Sequence, residues 1–173
     1  MKKIIKKITI GLMAITLLLS PLNFTSAISN DIIDTAINTP ELSTLTILVT
    51  EAELVDTLKS PGPFTVFAPT NEAFEQMPRI VKKALQKNPE LLTDILLYHV
   101  VSADITSADI PRATIVDSIQ GSKILARNNN QGVFINRAEV IIPDVVTSNG
   151  TVHIIDRVLI PWKAVAQSIR ANK

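Results

Sequence analysis

Residues 62–74 read GPFTVFAPTNEAF and predict a strand, an abrupt turn and the first turn of a helix. Phe64 to Ala68 has the aromatic and β-branched composition of a short strand. Pro69 has no N–H to donate to a central ladder, so we expect it to end that strand. Thr70 or Asn71 can then accept hydrogen bonds from the free N–H groups of the next helix. Three of the five phenylalanines of the chain surround this corner: Phe64, Phe67 and Phe74.

Helical patterns lie on both sides of this corner. Before it, Asn30 or Asp31 can cap a short helix, and an apolar stripe from Leu42 to Leu58 recurs every three or four residues. That spacing predicts one further helix lying on a core. After the corner, prolines at first-turn positions predict two more helices. They are expected at Pro78–Gln86 and Pro89–Leu97.

Beyond residue 97 short runs of β-favouring residues replace the helical pattern. Turn residues separate these runs, and 128–132 and 148–150 predict hairpin connections. The predicted strands are Tyr98–Val101, Thr114–Ile119, Ser122–Arg127, Gly132–Ile135, Ala138–Ile142 and Thr151–Ile160. A last helix is expected at Pro161–Ser168. Helices first and strands later, without regular alternation, predict an α+β fold and not a doubly wound sheet.

Residues 1–27 have the features of a signal peptide. The first seven residues hold four lysines, Ile8 to Leu19 is a short apolar run, and Thr25-Ser26-Ala27 offers small residues to a signal peptidase. That run is about a dozen residues long, whereas a helix needs about 20 to span a bilayer. An uncleaved membrane anchor is the alternative. We expect export with cleavage after Ala27, no stable membrane insertion afterwards, and a single domain at 28–173.

Charge and cysteine content narrow the class of partner. Of 17 basic and 16 acidic residues, four lysines leave with residues 1–27, so 13 basic and 16 acidic residues remain. A net negative charge without a basic cluster argues against nucleic acid or an anionic membrane surface as partner. The chain has no cysteine, so an exported domain must be stabilised by its core without disulfides.

The sequence lacks the common catalytic motifs. Without cysteine, thiolate catalysis and cysteine-metal sites are excluded. It has no Gly-x-Ser-x-Gly elbow, no phosphate-binding glycine-rich loop and no His-Glu-x-x-His pair. A triad assembled from distant segments is recognised by geometry, so the sequence leaves it open. We expect a non-enzymatic protein with no cofactor and no metal.

Two histidines lie in strand-like segments. Tyr98 and His99, within LLYHVV, are interpreted either as partly buried, hydrogen-bonded residues at a helix-to-strand junction or as part of a recognition surface. His153 is interpreted as structural. His153 and Asp156 are poor candidates for one metal site, because strand residues three apart point to opposite faces.

The segment Ile142-Pro143-Asp144-Val145-Val146 is the other candidate for recognition. Pro143 follows strand residues and should end regular pairing, which would place Asp144 outward on a loop. An acidic side chain held there suits a cation or a metal-bearing adhesion receptor. A solvated loop acid without a partner is the alternative.

Taken together, three motifs resemble the fasciclin-type domain family, and the resemblance runs from about Asn30 to the end of the chain. GPFTVFAPTNEAF is similar to the family's first signature box, LLYHVV to its Tyr-His segment, and SNGTVHIIDRVLIP to its second box. Asn71 stands where the first box usually carries Asp; because Asn caps helices about as well, we expect little structural consequence.

The resemblance implies a fasciclin-like fold, with N-terminal helices packed on a β-sheet wedge formed mainly by the C-terminal half. It implies that the two boxes contact each other in the core, with Phe64, Phe67 and Phe74 as packing residues and Pro69, Thr70, Asn71, His153 and Asp156 as further structural positions. It also implies a secreted or periplasmic bacterial adhesion protein that binds extracellular matrix, a cell-surface protein or a polysaccharide. By position, its candidate recognition residues are Pro143, Asp144, Tyr98 and His99. A soluble envelope carrier of a small apolar ligand is the alternative.

Overall fold

A seven-stranded sheet runs through residues 30–171, the part of the chain that this computed structural model describes. The strands are β1 (Phe64–Pro69), β2 (Val100–Val101), β3 (Thr114–Asp117), β4 (Lys123–Asn129), β5 (Gly132–Ile135), β6 (Ala138–Val146) and β7 (Gly150–Ile155). Their order in the sheet is β2-β1-β7-β6-β5-β4-β3. β1 and β7 pair in parallel, and the other neighbours are antiparallel. The predicted signal peptide at 1–27 lies outside the described residues.

Helices precede, interrupt and follow the sheet in sequence. The α-helices of the described residues are α1 (Ile32–Ile37), α2 (Ser43–Glu51), α3 (Val55–Lys59), α4 (Asn71–Glu75), α5 (Arg79–Lys87), α6 (Pro89–Tyr98) and α7 (Trp162–Ala171). Asp31 caps α1, since its side chain accepts from the Asp34 N–H. The predicted α+β fold is confirmed, because the N-terminal helices pack on a sheet whose strands β3 to β7 come from the C-terminal half.

The core lies on both faces of β1 and β7. On one face, Val66 and Val152 pack against Leu45 and Val49 of α2. On the other face, Phe67 packs in a cluster that includes Ile135. A strand buried on both faces reads as a continuous apolar run, which explains why FTVFA shows little alternation.

The apolar stripe from Leu42 to Leu58 was predicted to form one helix. The structure instead has two helices there, α2 and α3. Glu53 has a positive φ of 56°, and the N–H groups of Glu53 and Leu54 donate to Thr50 O and Val49 O. These two bonds form a Schellman ending, in which a left-handed residue ends the helix. Glycine is the usual residue at that position. Because a glutamate occupies it here, the end of α2 could not be predicted from the sequence.

Three predicted boundaries at the sheet are also wrong. β1 includes Pro69, which is tolerated because β2 pairs only with Thr65 and Val66 and so does not reach the proline. Tyr98 is the last residue of α6 and not the first of a strand. β7 ends at Ile155, five residues earlier than predicted.

Thr70, and not Asn71, caps α4: its hydroxyl accepts from the Ala73 N–H at 3.3 Å. The Asn71 side chain reaches the start of α2 instead, where Oδ1 accepts from the Thr44 N–H at 2.9 Å. Its Nδ2 donates to Pro40 O at 3.1 Å. Asn71 therefore satisfies a free N–H group of a helix distant in sequence and joins the strand-to-helix corner to the N-terminal helices.

We expect Asn71→Ala to lower the free energy of unfolding by about 1 kcal/mol, because the Thr44 N–H loses its acceptor. Asn71→Asp should lose less stability than Asn71→Ala, because a carboxylate still accepts from the Thr44 N–H and is favoured near a helix N-terminus, although it no longer donates to Pro40 O. Urea unfolding of both variants measures the difference. Equal losses in the two variants would contradict the capping role.

Candidate functional site

β1 and β7 are neighbours in the sheet and bring the first signature box into contact with the second box. Their parallel register sets Phe67 beside His153. The two rings stack with centroids 5.7 Å apart and 20° between their planes, and both side chains are fully buried. The expected contact between the boxes is confirmed. Phe64 and Phe74 are only partly buried and pack at the edges of the neighbouring clusters.

Both ring nitrogens of His153 have partners. Nδ1 accepts from the Asp144 N–H at 3.2 Å, and Nε2 lies 2.8 Å from Ile105 O. A carbonyl oxygen only accepts, so Nε2 donates in this contact while Nδ1 accepts from the Asp144 N–H. His153 therefore joins β7 to a bulge in β6 and to the loop after β2.

Asp144 lies within β6 and not on a loop, so that prediction is wrong. It occupies a bulge, where the register with β7 shifts between Ile142 and Val145 and the φ of Asp144 is 58°. Its carboxylate accepts from the N–H of Ser107 at 2.7 Å and from the Ser107 hydroxyl. Partial burial acts to raise the pKa of Asp144, and the two Ser107 hydrogen bonds outweigh it, so the pKa lies below its usual value.

Tyr98 and His99 are both buried. The Tyr98 hydroxyl donates to Lys123 O at 2.9 Å and accepts from Asn136 Nδ2 at 3.1 Å. These bonds tie the end of α6 to β4 and to the β5–β6 turn. The geometry agrees with the structural interpretation of the pair, whereas their part in recognition stays a prediction.

His99 bridges two backbone segments through its ring. Nδ1 donates to Ile95 O at 2.7 Å, and Nε2 accepts from the Leu159 N–H at 2.8 Å. Burial lowers the pKa of His99 to about 4, although the hydrogen bond to Ile95 acts in the opposite direction. The ring is therefore neutral at physiological pH and joins α6 to the segment before α7.

Asp156 is the remaining motif residue, and it joins the end of β7 to the start of β6. Its Oδ1 accepts from the Glu139 N–H at 2.6 Å, and its Oδ2 lies 3.4 Å from Arg157 Nε. It takes no part in a metal site with His153. Among the described residues no group of three or more His, Asp or Glu side chains could hold a metal ion.

Exposed apolar side chains flank the irregular part of β6, and sequence reasoning identified only some of them. We name these residues the β6 strip: Ile141, Ile142, Pro143 and Val146. Ile141, Ile142 and Val146 are 53%, 49% and 70% exposed, and Pro143 is also exposed. A regular strand starting from buried Val140 would bury Ile142, and the register shift turns it outward. The run of consecutive large apolar residues in a predicted strand was the sequence feature that could have indicated the β6 strip.

Comparison with known proteins identifies the family of this chain. The fasciclin domain model matches residues 40–161. The uncharacterized protein sll1735 of Synechocystis is 45% identical over 130 residues, covering 75% of this chain and 97% of that protein. The cell surface glycolipoprotein MPB83 of Mycobacterium bovis is 36% identical over 131 residues, covering 73% of this chain and 58% of the relative.

A solved structure gives the same result for the fold. The FAS1 domain pair of the insect cell adhesion molecule fasciclin I superposes with a TM-score of 0.60 at 20% identity, over 79% of this chain and 52% of that one. No helix in residues 30–171 is long and apolar enough to cross a bilayer. The match of the family model over most of the described residues shows that this chain belongs to the fasciclin domain family.

Proposed function

We propose that this chain is an exported, non-enzymatic module that mediates contact between cells or between a cell and extracellular matrix. Family membership supports adhesion as the broad role, since the superposed relative is a cell adhesion molecule. The 36% sequence identity to a cell surface glycolipoprotein supports a secreted, periplasmic or surface location after cleavage at residue 27. The partner is a matrix component, a cell-surface protein or a polysaccharide.

The observation that carries the proposal is the β6 strip. β6 exposes three large apolar side chains within six residues. Ile142 and Val146 lie on opposite faces of the strand, because their β7 partners Ile154 and Thr151 are three positions apart. Exposed apolar surface of this kind is a feature of interaction sites. The register shifts in β6 keep the strip exposed, and Pro143 removes one N–H from the strand, which limits pairing with another sheet edge. Asp144 then acts by holding the bulge through Ser107 and His153, and not by reaching a partner directly.

The chemistry of the two histidines supports a role without catalysis. His99 and His153 are buried, and each has a hydrogen-bond partner on both ring nitrogens. A general base must reach a proton of the substrate. Neither ring is open to one in this arrangement.

The test is binding of protein-coated beads to host cells and to isolated envelope polysaccharide. We expect Ile141→Lys combined with Val146→Lys to reduce binding roughly tenfold or more, as loss of central contacts does in other interfaces. The matched control is Ile115→Lys combined with Ile80→Lys, which adds the same two lysines at side chains that are 60% and 56% exposed on β3 and α5.

Thermal melts of all forms separate binding from folding. Unchanged melting with binding lost only in the β6 variant supports the strip as the contact surface. Equal binding by the β6 variant and the control would refute its role. If the parent protein bound neither cells nor polysaccharide, the adhesion proposal itself would fail.

The alternative, an envelope carrier of a small apolar ligand, depends on a different surface. An enclosed apolar cavity among the core residues has a volume of only about 30 Å³, about the space of one water. An open groove of about 290 Å³, lined by Leu48, Leu85 and Leu92 among others, is at the lower limit for a ligand pocket. Native mass spectrometry of protein isolated from its host would show a bound species if this function were correct.

A further inference from the structure

A second surface, distinct from the β6 strip, is a cleft of about 740 Å³ at the opposite end of β6. It lies between the β5–β6 turn, the segment after β7, the start of α7 and the connection from α4 to α5. Its volume is within the range of small-ligand sites. We name it the α7 cleft; the side chains that matter below are Arg137, Arg157, Trp162 and Lys163.

The α7 cleft is basic although the chain without residues 1–27 is acidic overall. Arg137, Arg157 and Lys163 line it, and no Asp or Glu is among its lining residues. Within residues 30–171 neither Arg137 nor Lys163 forms an ion pair. Cations gathered in one cleft raise the local concentration of anions and speed their association.

Arg157 is paired with its neighbour in sequence, although its side chain is 60% exposed. Arg157 Nε lies 3.4 Å from Asp156 Oδ2, and the same carboxylate is tied to the Glu139 N–H. On the cleft wall, the Tyr98 hydroxyl and the Asn136 amide bond to each other. A guanidinium is suited to bind a carboxylate through two parallel hydrogen bonds, so Arg137 and Arg157 favour a carboxylate-bearing ligand in this cleft.

An aromatic ring stands beside these cations. Trp162 is the first residue of α7, lines the cleft and is 57% exposed. Pro161, Ile160 and Met77 add apolar lining. An exposed indole offers a flat apolar face and an N–H donor, which matches the C–H face and hydroxyl groups of a sugar ring. The arrangement therefore combines a surface for a sugar ring with cations for its acid group.

We propose that the α7 cleft binds an acidic sugar, namely a uronic-acid unit of an extracellular polysaccharide. Arg137, Arg157 and Lys163 contact the carboxylates of this unit and of its neighbours along the polysaccharide, and Trp162 stacks on a ring. This site goes beyond the proposed contact through the β6 strip, and its failure leaves that proposal standing because the two surfaces carry different residues.

Trp162 reports on the site directly because it is the only tryptophan of the chain. Titration of the purified protein with tetragalacturonate should shift or quench its fluorescence, and a neutral galactose tetramer should have much less effect. Arg137→Gln combined with Arg157→Gln should weaken the affinity roughly tenfold or more, since two charge-assisted contacts are lost. The matched control, Arg112→Gln with Lys83→Gln, removes the same charge from exposed positions outside the cleft.

Thermal melts must show that both double variants remain folded. Selective loss of uronate binding in the cleft variant supports the proposal. An absent response, an equal response to the neutral tetramer, or equal weakening by the control variant overturns it. Binding of a single-stranded oligonucleotide of equal charge with the same affinity would also overturn it, because the cleft would then be a general polyanion surface.

Discussion

Phe67→Ala should lower the free energy of unfolding by about 3–5 kcal/mol, the range found when a fully buried phenylalanine is truncated. Phe67 is 1% exposed, and its ring stacks on His153 of the neighbouring strand β7. Truncation would leave a cavity in contact with both β1 and β7. A continuous parallel ladder holds these two strands together, so their backbones cannot move in to fill the space.

Chemical denaturation followed by circular dichroism measures this loss. The matched control is Phe134→Ala, since Phe134 lies on β5 and is only partly buried, and a smaller loss is expected there. Phe67→Leu should fall between the parent and the alanine variant because it refills part of the cavity. A loss below about 1 kcal/mol for Phe67→Ala would contradict its place in the core.

Phe67 also shows what the sequence could predict. The strand, the corner after it and the capping of the next helix follow from local chemistry within residues 62–74, and the structure confirms them apart from the exact end of the strand. The pairing of that strand with β7 joins residues more than 80 positions apart. Only the resemblance of two separated motifs to one family indicated that contact.

The predictions that failed depended on backbone geometry that leaves no composition signal. Asp144 was expected on a loop because Pro143 interrupts regular pairing, yet the structure absorbs the interruption in a bulge and keeps both residues in β6. A separate register shift, between Val140 and Ile142, turns Ile142 outward and exposes it in the β6 strip. Glu53 ends α2 in a conformation that usually requires glycine. Tertiary packing decides such positions.

The candidate site was predictable in position but not in chemistry. The Pro143-Asp144 segment does lie at an exposed apolar surface, although the carboxylate is engaged by Ser107. Tyr98 and His99 could be recognised as a junction from their apolar neighbours. The α7 cleft could not be foreseen, since Arg137, Arg157 and Lys163 are separated in sequence and do not form a basic run.

Acidification from pH 7.5 to pH 5 should cost about 2 kcal/mol of stability through His99 alone. In the folded protein the pKa of His99 is about 4, against 6.5 for an ordinary histidine. Below pH 6.5 the unfolded chain binds a proton that the folded chain refuses, so stability falls as the pH drops from about 6.5 towards 4. Above pH 6.5 both states are neutral at this residue, and its full contribution is present.

The aspartates with shifted pKa values do not cause a comparable loss of stability between pH 7.5 and pH 5. The pKa values of Asp31, Asp109 and Asp144 lie below the usual 3.8 in the folded protein, so the stability they contribute is lost only as the pH falls past that value. Asp94 has a raised pKa because of burial and of Glu90. Its effect therefore makes the folded protein more stable, and not less stable, as the pH falls. A decrease between pH 7.5 and 5 therefore points to a histidine.

The variant His99→Gln separates the pH dependence of stability due to His99 from that due to all other groups. The glutamine oxygen can still accept from the Leu159 N–H, and the side chain does not titrate. His153 is present in both forms, so its contribution cancels in the difference. Urea unfolding at pH 7.5 and pH 5 should show about 2 kcal/mol more loss in the parent than in the variant. An equal pH dependence in the two forms would mean that His99 reaches water and gains its proton without unfolding, contrary to its place between α6 and the segment before α7.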